Sequence, residues 1–247
     1  MGRKQLLKGL ERVSDNKPIL FCFPYAGGGA SAYKNWQELI GNDVSVCSIQ
    51  LPGREDRIAE NPYTSMEKLL DDIVSRICYY SQNPIYLFGH SMGAKIASET
   101  ARILEGRGIR VSGLIVSASK TIDCPIEKPL SKLPKEEFVN ELVKFNGIPE
   151  ELLNNQAALD YFIPMLRADF IMDESYGERS EYKLKCPIVA ICGSVDKEAQ
   201  FGNILEWKKY TDKGFYSRVY PGDHFYIKNY EKDVVRNIRR LIKGDSV

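Results

Sequence analysis

The run Gly89-His90-Ser91-Met92-Gly93 places a serine between two glycines at the spacing G-x-S-x-G. That spacing suits a nucleophile elbow, a strained strand-to-helix turn that exposes a serine Oγ. Small flanking residues let the strand and the helix approach closely. The bare pattern also arises by chance, or as an inert glycine-rich turn. Its context separates the readings, because the apolar run Ile85 to Phe88 precedes it and a helical pattern from Met92 to Leu104 follows.

A serine hydroxyl is a poor nucleophile without a base, and the chain holds only two histidines. His90 sits inside the elbow, where its side chain should point away from Oγ. His224, in Gly222-Asp223-His224-Phe225, follows the last strand-like run, where the chain order Ser, acid, His places the base. The acid should lie between them on a loop after a strand. Asp196, in Gly193-Ser194-Val195-Asp196, meets that condition and would hold the imidazole tautomer and stabilise the imidazolium. Asp123 is the competitor, after an earlier strand. Asp223 abuts the histidine in sequence and is poorly placed to reach its ring.

Acyl transfer through a serine also needs two backbone N–H groups for the developing oxyanion. Met92, directly after the nucleophile, is the first candidate. Ala26, in the loop Pro24-Tyr25-Ala26-Gly27-Gly28-Gly29, is the second. A glycine-rich loop could instead cradle phosphate, but G-x-x-x-x-G-K-[ST] is absent.

These residues need elements to position them. Apolar runs at Pro18 to Phe23, Val44 to Gln50, Ile85 to Phe88, Gly113 to Ser117, Ile188 to Cys192 and Phe215 to Tyr220 read as strands. Helical spacing over Met66 to Tyr80, Met92 to Leu104 and about Tyr230 to Ile242 alternates with them. The pattern predicts an α/β fold with a mostly parallel central sheet flanked by helices. Residues from about 121 to 181 hold no convincing strand, only helical patterns such as Glu136 to Phe145 and Ala157 to Met172. They read as an insertion over the C-terminal edge of the sheet, where open α/β sheets place ligands, and would act as a lid.

Composition narrows the classes further. A chain of 247 residues with 43% hydrophobic content suits one domain over residues 1–247. The 34 basic and 33 acidic residues leave a net charge of +1, so no global field points to nucleic acid or an anionic membrane. The six cysteines contain no C-x-x-C pair, and four lie in or beside apolar strand-like runs; neither a metal cluster nor a disulfide framework is expected. No signal peptide, myristoylation pattern or membrane-length apolar run is present, and a cytoplasmic monomer is the default expectation.

Six runs together carry a resemblance: FCFPYAGGGASAY (Phe21 to Tyr33), LPGRE (Leu51 to Glu55), LFGHSMGA (Leu87 to Ala94), LRADF (Leu166 to Phe170), CGSVD (Cys192 to Asp196) and GDHFY (Gly222 to Tyr226). In this order, over nearly the whole chain, they resemble the type II (editing) thioesterases of nonribosomal peptide and polyketide synthesis. Those enzymes are relatives of the medium-chain fatty-acid-synthase thioesterases. The resemblance implies the α/β-hydrolase fold, and a free-standing serine hydrolase that clears stalled or wrongly primed acyl groups from the phosphopantetheine arms of acyl or peptidyl carrier proteins. The enzyme itself would need no cofactor. It carries over Ser91, Asp196 and His224 as the triad and Ala26 with Met92 as oxyanion donors.

Two positions depart from the family pattern. Asn146-Gly147-Ile148-Pro149 stands where paired glycines are usual, and Lys197 stands where a proline often follows the acid. Three alternatives stay open. They are a small-molecule carboxylesterase, a chain-releasing acyltransferase or cyclase on the same fold, and a catalytically inert carrier-docking module. Lys120, Lys128, Lys132 and Lys135 could meet an acidic carrier domain or simply form a solvated face. Tyr161, Phe162 and Phe170 could line an acyl channel or pack in the core.

Overall fold

A computed structural model describes residues 5–144, 147–148, 150–177 and 182–244. Its strands are β1 (Leu7–Lys8), β2 (Ile19–Phe23), β3 (Ser45–Ile49), β4 (Ile85–His90), β5 (Val111–Ser117), β6 (Ile188–Gly193) and β7 (Phe215–Tyr220). They form one sheet in the order β1-β3-β2-β4-β5-β6-β7. All neighbours are parallel except β1, which pairs antiparallel with β3. The helices are α1 (Trp36–Ile40), α2 (Met66–Ile77), α3 (Met92–Gly106), α4 (Lys135–Lys144), α5 (Glu150–Leu153), α6 (Gln156–Glu174), α7 (Phe201–Leu205), α8 (Tyr226–Asn229) and α9 (Glu231–Lys243).

The interior strands β2 and β6 read as unbroken apolar runs because helices cover both faces of the sheet. Along β2, Ile19, Phe21 and Phe23 enter one core with α2 and α3, whereas Leu20 and Cys22 enter a second core with α1 and α9. β6 divides in the same way, with Ile188, Ala190 and Cys192 on the first face and Val189 and Ile191 on the second. The helices match these faces. In α2, Met66, Leu69, Leu70, Ile73, Val74 and Ile77 are buried at helical spacing, and the Ser65 hydroxyl accepts the Lys68 N–H at its N-terminus. On the second face, Phe88 packs against Trp36 and Tyr33 with ring centroids 4.7 and 5.8 Å away.

The expected mostly parallel α/β sheet is present, and each predicted strand is found within two residues of its expected bounds. The largest consequence concerns β4. It runs past Phe88 through Gly89 to His90, so the sheet register itself delivers the G-x-S-x-G turn: Gly89 pairs with Phe23 and Val116, and His90 with Ser117. The segment between β5 and β6 is helical and contains α4, α5 and α6. It has its own small core of Phe138, Leu142, Ile148, Leu159, Ile163 and Leu166. Of the expected helix ending at Phe145, the last residue lies outside the described residues, as do Asn146 and Pro149 of the departing motif. All six cysteines are free, and Cys22, Cys47, Cys186 and Cys192 are buried as small hydrophobes.

Candidate active site

The elbow is built by steric exclusion. Ser91 adopts φ 55° and ψ −123°, a conformation that costs roughly 1–3 kcal/mol for a residue with a side chain. A Cβ on Gly89 would lie 2.0 Å from the Gly93 carbonyl oxygen, and one on Gly93 would lie 2.2 Å from the Phe23 carbonyl oxygen. Only glycine fits either position. The Ser91 N–H donates to the Ser117 carbonyl at 2.8 Å, which ties the turn to β5. Met92 is the first residue of α3, so its N–H lacks an intrahelical acceptor and points from the positive end of the helix.

His90 faces away from the cleft, as its position in the elbow predicts. It is fully buried, with Nδ1 2.8 Å from Ser117 Oγ, which lies 2.6 Å from the Tyr226 hydroxyl. Burial, and then the neighbouring His224, hold its pKa well below the usual imidazole value of 6.5. The two histidine rings are 5.2 Å apart.

His224 stands on the turn after β7 and meets Asp196 on the turn after β6. Its Nδ1 lies 3.0 Å from Asp196 Oδ2 and 3.2 Å from Oδ1, and both side chains are buried. The carboxylate only accepts, so the neutral ring carries its proton on Nδ1 and presents Nε2 as a base. The Glu198 and Ala199 N–H groups donate to Asp196 Oδ1 at 2.8 and 3.1 Å, fixing the carboxylate plane. The two turns meet through another glycine, since a Cβ on Gly193 would fall 2.2 Å from the Asp223 carbonyl oxygen. Asp123 is occupied elsewhere: burial raises its pKa, but hydrogen bonds from Thr121 and Tyr210 outweigh this and lower it. Asp223 is exposed, and its Oδ1 accepts the Phe225 N–H at 2.9 Å within the turn.

Ser91, Met92 and His224 line one cleft of about 850 Å³. Its wall is strongly charged. Lys95 and Asp173 pair at 2.9 Å, and Lys144 and Glu141 at 2.8 Å. Lys120 and Lys128 line it as well, whereas Lys135 is engaged with Asp160. Of the three aromatic candidates, Phe170 lines the cleft and packs edge-on against Phe138. Phe162 packs toward Gly27, and Tyr161 is exposed, its hydroxyl donating to the Ile58 carbonyl at 2.8 Å.

Ala26 lies in a turn closed by the Gly28 N–H donating to the Tyr25 carbonyl at 2.9 Å, with Gly27 at φ 79°. Two residues with no assigned role in the sequence reading hold this turn. Arg54 and Asp169 form a buried bidentate pair at 2.6 and 2.7 Å, and Asp169 Oδ2 also accepts the Gly27 N–H at 2.8 Å. Both lie in runs the sequence singles out, LPGRE and LRADF, but each run holds two charges, and only burial in the fold separates Arg54 from Glu55 and Asp169 from Arg167.

Residues 18–242 match the thioesterase domain family. The chain belongs to this family. It is 38% identical over 210 residues to the gramicidin S biosynthesis protein GrsT of Aneurinibacillus migulanus, covering 84% of this chain and 82% of that protein. To the thioesterase PikA5 of Streptomyces venezuelae it is 35% identical over 221 residues, covering 89% of this chain and 79% of that one. Among solved structures, the type II thioesterase BorB from the borrelidin biosynthetic cluster is similar with a TM-score of 0.87 at 30% identity, over 96% of this chain and 97% of that chain. This thioesterase is a thioester hydrolase with the α/β-hydrolase architecture of its structural neighbours. No helix among the described residues is long and apolar enough to cross a membrane.

The geometry separates the two candidate acids experimentally. Asp196→Asn should lower kcat by ~10,000-fold, because an amide no longer selects the required imidazole tautomer. Asp123→Asn should leave kcat within about threefold. Steady-state hydrolysis of an acyl-pantetheine by both variants checks this. Equal losses would contradict it.

His90 supplies a pH test. It stays neutral in the folded protein, while the unfolded chain takes up its proton below about pH 6.5. Its contribution to stability is therefore present above that pH and lost as the pH falls. Between pH 7.5 and 5.5 wild type should lose the stability that this group supplies at the higher pH. Urea unfolding of wild type and His90→Asn at both pH values should show that extra loss in wild type alone.

Proposed function

We propose that this thioesterase removes stalled or wrongly primed acyl and aminoacyl groups from the phosphopantetheine arms of acyl or peptidyl carrier proteins in nonribosomal peptide or polyketide synthesis. The observation that carries the reading is the His224–Asp196 pair opening onto the same cleft as the strained Ser91. The names of the relatives support the pathway: one a gramicidin S biosynthesis protein, one a type II thioesterase of a borrelidin cluster.

In this mechanism His224 Nε2 takes the Ser91 proton as Oγ attacks the thioester carbonyl. The tetrahedral oxyanion is held by the N–H groups of Met92 and Ala26. The pantetheine thiol departs, and its pKa near 8.5 makes protonation less demanding than for an amine leaving group. His224 then activates water, which releases the acid from the acyl-serine. Oxyanion stabilisation should dominate, since removing one donor of such a hole typically costs about 100- to 1,000-fold. In this reading the chain works as one domain and as a cytoplasmic monomer. Residues 121–181 form its lid, and the pantetheine group arrives on the carrier rather than as a cofactor of the enzyme.

Hydrolysis of acetyl loaded on a carrier protein should be far faster than hydrolysis of the same acetyl on free pantetheine or in a simple oxygen ester. The product should be free acetate, and Ser91→Ala should abolish the reaction. Preference for the oxygen ester would make the enzyme a carboxylesterase, and a transferred or cyclised product would make it an acyltransferase.

A further inference from the structure

The helical insertion and the glycine-rich loop are joined by more than apolar packing. Phe162, Leu166 and Asp169 lie on one face of α6, four and three residues apart. That face seats on Gly27. A Cβ there would come 3.0 Å from both Leu166 Cδ1 and Phe162 Cζ. The Asp169 carboxylate accepts the Gly27 N–H at 2.8 Å, and is itself held by Arg54 Nη1 and Nη2 at 2.6 and 2.7 Å. Arg54 Nη1 also donates to the Gly28 carbonyl at 3.0 Å, and Nε to the Pro52 carbonyl at 3.2 Å.

The turn being held is specific. Gly27 at φ 79° and the Gly28-to-Tyr25 hydrogen bond are those of a type II turn, in which the peptide between the two central residues faces one way only. Here that peptide joins Ala26 to Gly27, and Asp169 holds its N–H. The preceding peptide, which carries the Ala26 N–H, is held through its Tyr25 carbonyl by the Gly28 N–H, so it stays fixed only while the turn stays closed. Flipping the Ala26–Gly27 peptide toward a type I turn would strip a buried carboxylate of a donor, which is costly in so dry a setting. Arg54 pins the far end of the same turn through the Gly28 carbonyl.

We propose that Asp169, with Arg54, is a positioning residue for the oxyanion hole: from α6 it fixes the turn that aims the Ala26 N–H at the reacting carbonyl. This rests on the reading of Ala26 and Met92 as the oxyanion donors. It makes α6 part of the catalytic framework. Docking of α6 and assembly of the hole become a single event, because the residue that completes the turn belongs to the helix.

The test replaces the pair without leaving a lone buried charge, using the double variant Arg54→Met/Asp169→Leu. A buried ion pair exchanged for apolar side chains of similar volume commonly leaves folding intact. With acetyl-loaded carrier, kcat should fall ~100-fold or more while KM stays within about threefold, since the ground-state carbonyl needs the hole less than the oxyanion does. Affinity for a short alkylboronic acid, whose Ser91 adduct places an oxygen in the hole, should fall in step with kcat. Asp169→Asn keeps an acceptor for the Gly27 N–H and should retain at least ten times the activity of the double variant. If the double variant fails to fold, Asp169→Asn decides alone: kcat should fall about threefold to tenfold with KM within about threefold, and a kcat equal to wild type would overturn the proposal.

A folded double variant with kcat and boronate affinity within threefold of wild type would overturn the proposal. So would an Asp169→Asn protein whose loss lies wholly in KM. Wild type run alongside keeps the two readings apart. If wild type neither hydrolyses the acetyl-carrier nor binds the boronate, the proposed function has failed. If wild type does both and the variants match it, only the role of Asp169 has failed.

Discussion

Ser91 is held at φ 55° and ψ −123° by contacts that leave no room for a side chain on either flanking glycine. The strain persists because the surrounding sheet over-determines it: Gly89 is paired on both sides in the ladder, and the Ser91 N–H is bound to Ser117 of β5. The approach of Gly93 to the Phe23 carbonyl has a second consequence. It sets the end of β2, and so the loop that carries Ala26, against the N-terminus of α3 that carries Met92. The Ser91 turn and the loop that carries Ala26 are thus positioned by one backbone contact. Gly193 does the same for the other half of the site, where its approach to the Asp223 carbonyl joins the turn of Asp196 to the turn of His224.

The insertion completes this arrangement from above the sheet edge. Its helix α6 brings Asp169 to Arg54 and Gly27, Asp173 to Lys95, and Phe170 to the cleft wall. The buried pair and the half-buried pair differ in kind. Asp169 and Arg54 satisfy one another and three backbone groups besides, whereas the Lys95–Asp173 pair borders the cleft one helical turn from Ser91. The cleft wall is mixed, with Met92, Ile126, Leu130 and Phe170 set among these charges.

Much of this was legible in the sequence, for identifiable reasons. Strands covered on both faces are mostly apolar along their whole length, so β2, β4 and β6 announce themselves, and β3 and β5 do so despite their serines. β7 does so by its β-branched and aromatic residues, although most of its side chains are exposed. With two histidines in the chain, placing the base reduced to position relative to the last strand. Asp196 and Asp123 both follow strands, and only the fold shows which one faces His224. β1 escaped notice because two residues pairing antiparallel with β3 leave no periodicity. The roles of Arg54 and Asp169 escaped for another reason: they lie 115 residues apart, and only the docking of α6 joins them.

The most direct test of the account is covalent labelling with a fluorophosphonate, located by mass spectrometry and followed alongside loss of thioesterase activity. The account predicts one adduct, on Ser91, formed at the same rate at which activity disappears. It also predicts labelling strongly slowed in Asp196→Asn, because the serine loses its oriented base. Full activity in fully labelled protein, or inactivation through a residue other than Ser91, would contradict it.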